Sequence, residues 1–187
     1  MSLVAWLGLM NSLRRCLVSG VGFMFLIQSL SVSAQASEAG LRVAFVYNFL
    51  KFIEWPNQGN ELILCAIGAR DATRQSLIQI DSKSTQKVTI KVLFVDDASE
   101  LEQNAGRCHL IYVPITGADI PLPAVMPEGV LLVIDDPKQE DLRAGIVLTR
   151  TREDRIEFTI NDSAIKQAGV KVSSQLLKLA KKPGGAS

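Results

Sequence analysis

One histidine, three cysteines and two tryptophans are spread over 187 residues, and each scarcity excludes some chemistry. His109 has no second histidine and no acid cluster beside it in sequence, so the chain offers neither a Ser-His-Asp relay nor a histidine-built metal site. Glycine is too sparse for a phosphate-cradling loop: Gly68-Ala69-Arg70-Asp71 reads as a plain strand-to-helix turn. Charge is short in both directions, with 20 Lys and Arg against 19 Asp and Glu. No basic stripe follows any segment, which excludes a nucleic-acid partner. Long apolar runs are missing too. A membrane span wants about 20 residues, and the run Leu17–Leu30 is shorter and broken by Ser19, Gly20, Gly22 and Gln28.

That run has another use. Arg14 and Arg15 precede it, and Ala34-Gln35-Ala36 follows as a small-x-small site, so residues 1–36 read as an export signal cleaved after Ala36. Cleavage leaves 151 residues, enough for one domain with its own core, and one net negative charge. The expected location is the periplasm. Export takes the chain away from nucleotide cofactors and phosphodonors, and no cofactor or metal is expected. With Cys16 gone in the leader, Cys65 and Cys108 remain, and an even pair in an exported chain reads as one disulfide. Such a bridge closes a loop of about 44 residues and contributes on the order of 4 kcal/mol at most.

The rest of the chain is organised around Leu41–Pro56, LRVAFVYNFLKFIEWP. At helical spacing its apolar residues sweep an arc of roughly 200°. Arg42 falls inside that arc, where a first-turn position lets its long side chain reach water. So wide an arc needs a sheet on one side and a second surface on the other, either deeper core or another subunit. Downstream, apolar runs at 61–68, 88–95, 109–113 and 129–134 read as strands, with helices from Asp71, from Asp96-Asp97, over 163–168 and from Ser173-Ser174. Segments 145–149 and 155–160 form a hairpin-like antiparallel pair. The fold expected is α/β: a three-layer α/β/α sandwich on a mostly parallel mixed sheet with antiparallel edge strands. A single domain runs from 37 to 182, followed by a loose tail at 183–187.

Few residues invite catalysis. Ser163-Ala164-Ile165-Lys166 matches the S-x-x-K of penicillin-recognising enzymes, but the companion S-D-N and K-T-G motifs are absent. Ser163 and Lys166 therefore read as a helix start and a solvated lysine. Asp96-Asp97 and Asp135-Asp136 sit at strand ends as acids do in receiver domains; they read as caps of turns and helices.

The segment Tyr47-Asn48-Phe49-Leu50-Lys51-Phe52-Ile53-Glu54-Trp55-Pro56 resembles the YNFxxFxxWP signature of the YfiR family of periplasmic proteins. Phe158-Thr159-Ile160-Asn161 and Ala168–Ala180, AGVKVSSQLLKLA, resemble the same family's C-terminal pattern. The resemblance implies a periplasmic inhibitor of an inner-membrane diguanylate cyclase. It would act on the cyclase's periplasmic sensor portion and lower cyclic di-GMP. It further implies a homodimer, sequestration by an outer-membrane lipoprotein, and a structural disulfide at Cys65 and Cys108. The chain departs from the best-known member in having no second cysteine pair between Pro137 and Arg155. Candidate contact residues are Tyr47, Phe49, Phe52 and Trp55, with Leu176 and Leu179 of the last helix; core packing is the competing role for each. The other functions weighed are binding to a different membrane sensor such as a histidine kinase, a small-ligand module, and an enzyme using Ser163 and Lys166.

Overall fold

The computed structural model describes residues 37–56, 59–85 and 88–182. The expected leader and tail lie outside them. Ser37 opens the chain's central helix, α1 (Glu38–Phe52), its hydroxyl accepting the Gly40 N–H at 3.1 Å. The helix starts three residues before the apolar arc and ends four before Pro56, earlier than expected. Ile53 and Glu54 leave it as a two-residue strand, β1, which pairs antiparallel with β9 (Lys171–Val172). β-Branched Ile53 suits the extended state, and a backbone partner there competes successfully with another helical turn.

The main sheet has the order β3-β4-β2-β5-β6-β7-β8. Its strands are β2 (Glu61–Ile67), β3 (Ser84–Thr85), β4 (Val88–Val95), β5 (Leu110–Val113), β6 (Leu131–Asp135), β7 (Ile146–Arg150) and β8 (Ile156–Ile160). The five from β4 to β7 run parallel, while β3 and β8 pair antiparallel at the two edges. The α/β reading of the sequence, with its mostly parallel sheet and antiparallel edges, agrees with this. The central strands are apolar throughout because both faces are covered. One face packs under α1, α2 (Asp71–Ile78), α4 (Asp162–Gln167) and α5 (Ser174–Leu179), through Phe49, Leu77, Ile165 and Leu176. Phe45, Phe49 and Phe158 clasp α1 to β8, with Phe49 and Phe158 edge-on at 5.1 Å. The other face carries the short helix α3 (Ala98–Asn104), with Leu101 inward, and the loop with Ile120, Leu122 and Met126.

In order of appearance the parallel strands stand as 2-1-3-4-5, the doubly wound arrangement in which the first crossover goes one way and the later ones the other. The reversal falls between β2 and β5. Open α/β sheets usually take ligands in the crevice at this point, beyond the strands' carboxyl ends. Here the turns after β2 and β5 meet at Gly68, at φ +56°, and Gly117: a Cβ on Gly68 would sit 2.8 Å from the Gly117 Cα, and one on Gly117 would overlap the Ile67 carbonyl. Thr116 closes the contact by donating its hydroxyl to the Gly68 carbonyl at 2.8 Å.

Candidate functional site

Two places on this frame concentrate side chains that sequence reasoning singled out or misjudged. The first is the carboxyl end of β6. Arg42 does not run out to water: it is 3% exposed, and its guanidinium donates to Asp135, to Asp136 at 2.5 Å and to Glu38 at 2.7 Å. Asp135 is 1% exposed and accepts a second bond from the Tyr112 hydroxyl at 2.9 Å. Asp136 accepts the Arg150 N–H at 2.9 Å, and the Arg150 guanidinium pairs with Glu38 at 3.0 Å. The cluster therefore ties α1 to β5, β6 and β7.

Burial pushes the Asp135 carboxyl up to about 6, with Arg42 and Tyr112 offsetting part of the shift. Tyr112 is raised as well, first by burial and then by the neighbouring Asp135 charge. For Arg42, burial opposes the charge but is outweighed by Glu38, Asp135 and Asp136, which hold it above its ordinary value. All three nitrogens of this guanidinium are engaged by Glu38, Asp135 and Asp136, so the cluster is a clasp. The expectation that Asp135 and Asp136 cap turns is corrected for Asp135, whose partner is a buried cation. It holds for Asp97, which caps α3 by accepting the Glu100 N–H at 2.8 Å. Asp96 pairs with Arg70 at 3.2 Å. An arginine inside an apolar helical arc, together with two acids ending an apolar strand, was the signal that could have found the clasp.

The second place is the outer side of α1 and the neighbouring α5. Phe49, Trp55 and Leu176 point into the core. Tyr47 and Phe52 are half-buried, and Leu179 is 71% exposed. Lys51 Nζ stands 5.6 Å from both the Tyr47 and Phe52 ring centres, and Lys83 Nζ stands 5.8 Å from the Tyr47 ring centre. Leu177, 47% exposed, lies on α5 with Leu179. The Ser173 N–H donates to the Phe52 carbonyl at 2.9 Å, so the start of α5 is fixed to the end of α1. The six candidate residues thus divide into three that support from beneath and three that meet solvent.

Cys65 and Cys108 are bonded, with Cα atoms 5.8 Å apart, and the bridge joins β2 to the entrance of β5. His109 follows. It is half-buried, accepts the Ile63 N–H on Nδ1 at 3.0 Å, and is held below its usual pKa by burial. Ser163 and Lys166 are both exposed on α4, where the Ser163 N–H donates to Asn161 Oδ1 at 3.1 Å.

The family model described as YfiR/HmsC-like matches residues 39–181. No curated protein matches the chain. A match over that length establishes the relationship, and the chain belongs to the YfiR/HmsC-like family. The family is regulatory, non-catalytic and periplasmic, and acts with membrane signalling proteins in diguanylate cyclase signalling. Among the described residues no helix is long and apolar enough to cross a membrane.

Proposed function

We propose that this member of the YfiR/HmsC-like family is an exported repressor that binds the periplasmic sensor portion of an inner-membrane diguanylate cyclase and holds it in its inactive state. The family match over 39–181 carries the reading. The geometry supports binding over turnover: at the switch point the turns after β2 and β5 meet directly through Gly68 and Gly117, and the buried charges at β6 satisfy one another. A protein without a reaction centre can still regulate by binding one state of its partner better. A preference of about 3 kcal/mol shifts the ratio of states more than a hundredfold.

The contact surface in this reading is Tyr47, Phe52 and Leu179, given shape by Phe49, Trp55 and Leu176 beneath. A homodimer and sequestration by an outer-membrane lipoprotein belong to the same reading. The test is retention of membrane proteins from detergent-solubilised inner membrane on the purified chain. A cyclase with a periplasmic domain retained by the parent and lost with Leu179→Ser supports the proposal. A histidine kinase retained instead moves the function to another membrane sensor.

A further inference from the structure

The chain's one histidine occupies a joint that its proton state controls. His109 grips β2 twice: its N–H donates to the Ile63 carbonyl at 2.9 Å, and its Nδ1 accepts the Ile63 N–H at 3.0 Å. Its own carbonyl accepts both the Leu131 N–H and the Trp55 indole N–H, each at 2.9 Å. The Trp55 ring lies edge-on to the imidazole, 6.2 Å between centres. One residue therefore joins β2, β5, β6 and the segment leaving α1. An Nδ1 that accepts a backbone N–H must be unprotonated, which places the neutral ring's proton on Nε2.

We propose that His109 is an acid-sensitive joint, which holds Trp55 and the amino-terminal ends of β2 and β5 together only while its imidazole is neutral. A second proton can go only to Nδ1. There it meets the Ile63 N–H head-on, so the acceptor is lost and a backbone donor is left without its partner. The charged groups that line the same small hollow are Arg107, from the turn before Cys108, and Glu128, from the loop before β6. Ile63 and Leu131 on the flanking strands bring no charge. Arg107 opposes a second cation and Glu128 favours one, so neither acts as a dedicated counter-ion of one sign. From Trp55 the disturbance reaches β1, its partner β9 and the start of α5. The joint is defined without reference to whatever α5 binds.

The linkage has a fixed sign. Burial lowers the His109 pKa, so the folded chain binds fewer protons than the unfolded one just below about pH 6.5, and acid weakens the fold there.

The experiment uses the exported chain, residues 37–187, in which Trp55 is the single indole, titrated from neutral to acid pH. Expected are a shift in Trp55 emission with a one-proton midpoint below 6.5 and, across the same midpoint, a fall of about tenfold or more in Ile63 amide protection. In His109→Asn, Oδ1 takes the place of Nδ1 and does not titrate, so both changes should vanish. Retention of the same Ile63 transition in His109→Asn overturns the proposal, as does Ile63 protection that ignores the titration. Imidazole nitrogen shifts of the unaltered chain supply a check free of mutation: the Nε2–H tautomer at neutral pH is required, and a predominant Nδ1–H form refutes the joint.

Discussion

Replacing Arg42 with methionine keeps most of the side chain's volume and removes the charge that Asp135 and Asp136 share. The structure sets the size of the effect. Arg42 and Asp135 are both almost fully buried, and the Tyr112 hydroxyl alone cannot neutralise a carboxylate. Removing one partner of such a pair leaves an uncompensated buried charge and typically costs about 3–5 kcal/mol. That is a large share of the roughly 5–15 kcal/mol that holds a domain together. Urea unfolding followed by circular dichroism should give that loss near pH 7.5, with the denaturant slope unchanged.

Two controls fix the mechanism. Adding Asp135→Asn to Arg42→Met removes the orphaned charge and should recover at least half of the loss. Acid should act in the same direction, because the Asp135 carboxyl neutralises as pH falls; the Arg42→Met penalty is therefore smaller at pH 5 than at 7.5. A loss below about 1 kcal/mol, or no recovery in the double variant, would refute the clasp.

Four further outcomes follow from the same structure. In the parent, Asp135 titrates near 6 against about 3.9 when unfolded, so the folded chain binds more protons between those values. This group's contribution to stability therefore falls as pH rises from about 4 to 6, opposite in sign to that of His109; side-chain carboxyl NMR of Asp135 should show the raised midpoint. Cys65→Ala with Cys108→Ala should lower stability by up to about 4 kcal/mol, and non-reducing peptide mapping of the parent should recover the two as one cross-linked pair. Gly117→Ala should lower the melting temperature markedly because its methyl would overlap the Ile67 carbonyl, whereas Gly106→Ala, with nothing within 4 Å, should be tolerated. Phe49→Ala should cost about 3–5 kcal/mol as a core truncation, while Leu179→Ser should leave stability unchanged and weaken partner binding.

The alternation of apolar runs with capped helical segments carried most of the fold. The runs at β2, β5 and β6 are apolar because both faces are covered, whereas β4 alternates at its start and leaves Lys91 exposed, and Asn161 and Ser173 stand where side-chain caps are needed. The two-residue strands β1, β3 and β9 escaped notice because two residues hold no period, and β1 and β9 exist through their mutual pairing across more than a hundred positions. For the same reason α1 ends at Phe52 rather than at Pro56. Arg42 was placed correctly on the helix but its environment was misjudged. Helical periodicity locates a face, whereas two of the three acids that receive this guanidinium lie 93 and 94 residues away. The aromatic segment from Tyr47 to Trp55 was legible as a unit, but its division into core and surface depends on how α5 and His109 pack against it, and the local pattern does not encode that.

The most direct test of the repressor account is cyclic di-GMP in cells that lack this chain, compared with the same cells supplied with the parent or with the Leu179→Ser variant. The account predicts a raised level on deletion, restored by the parent and not by a folded, exported Leu179→Ser. An unchanged level on deletion, in cells that express a membrane cyclase with a periplasmic domain, would contradict it.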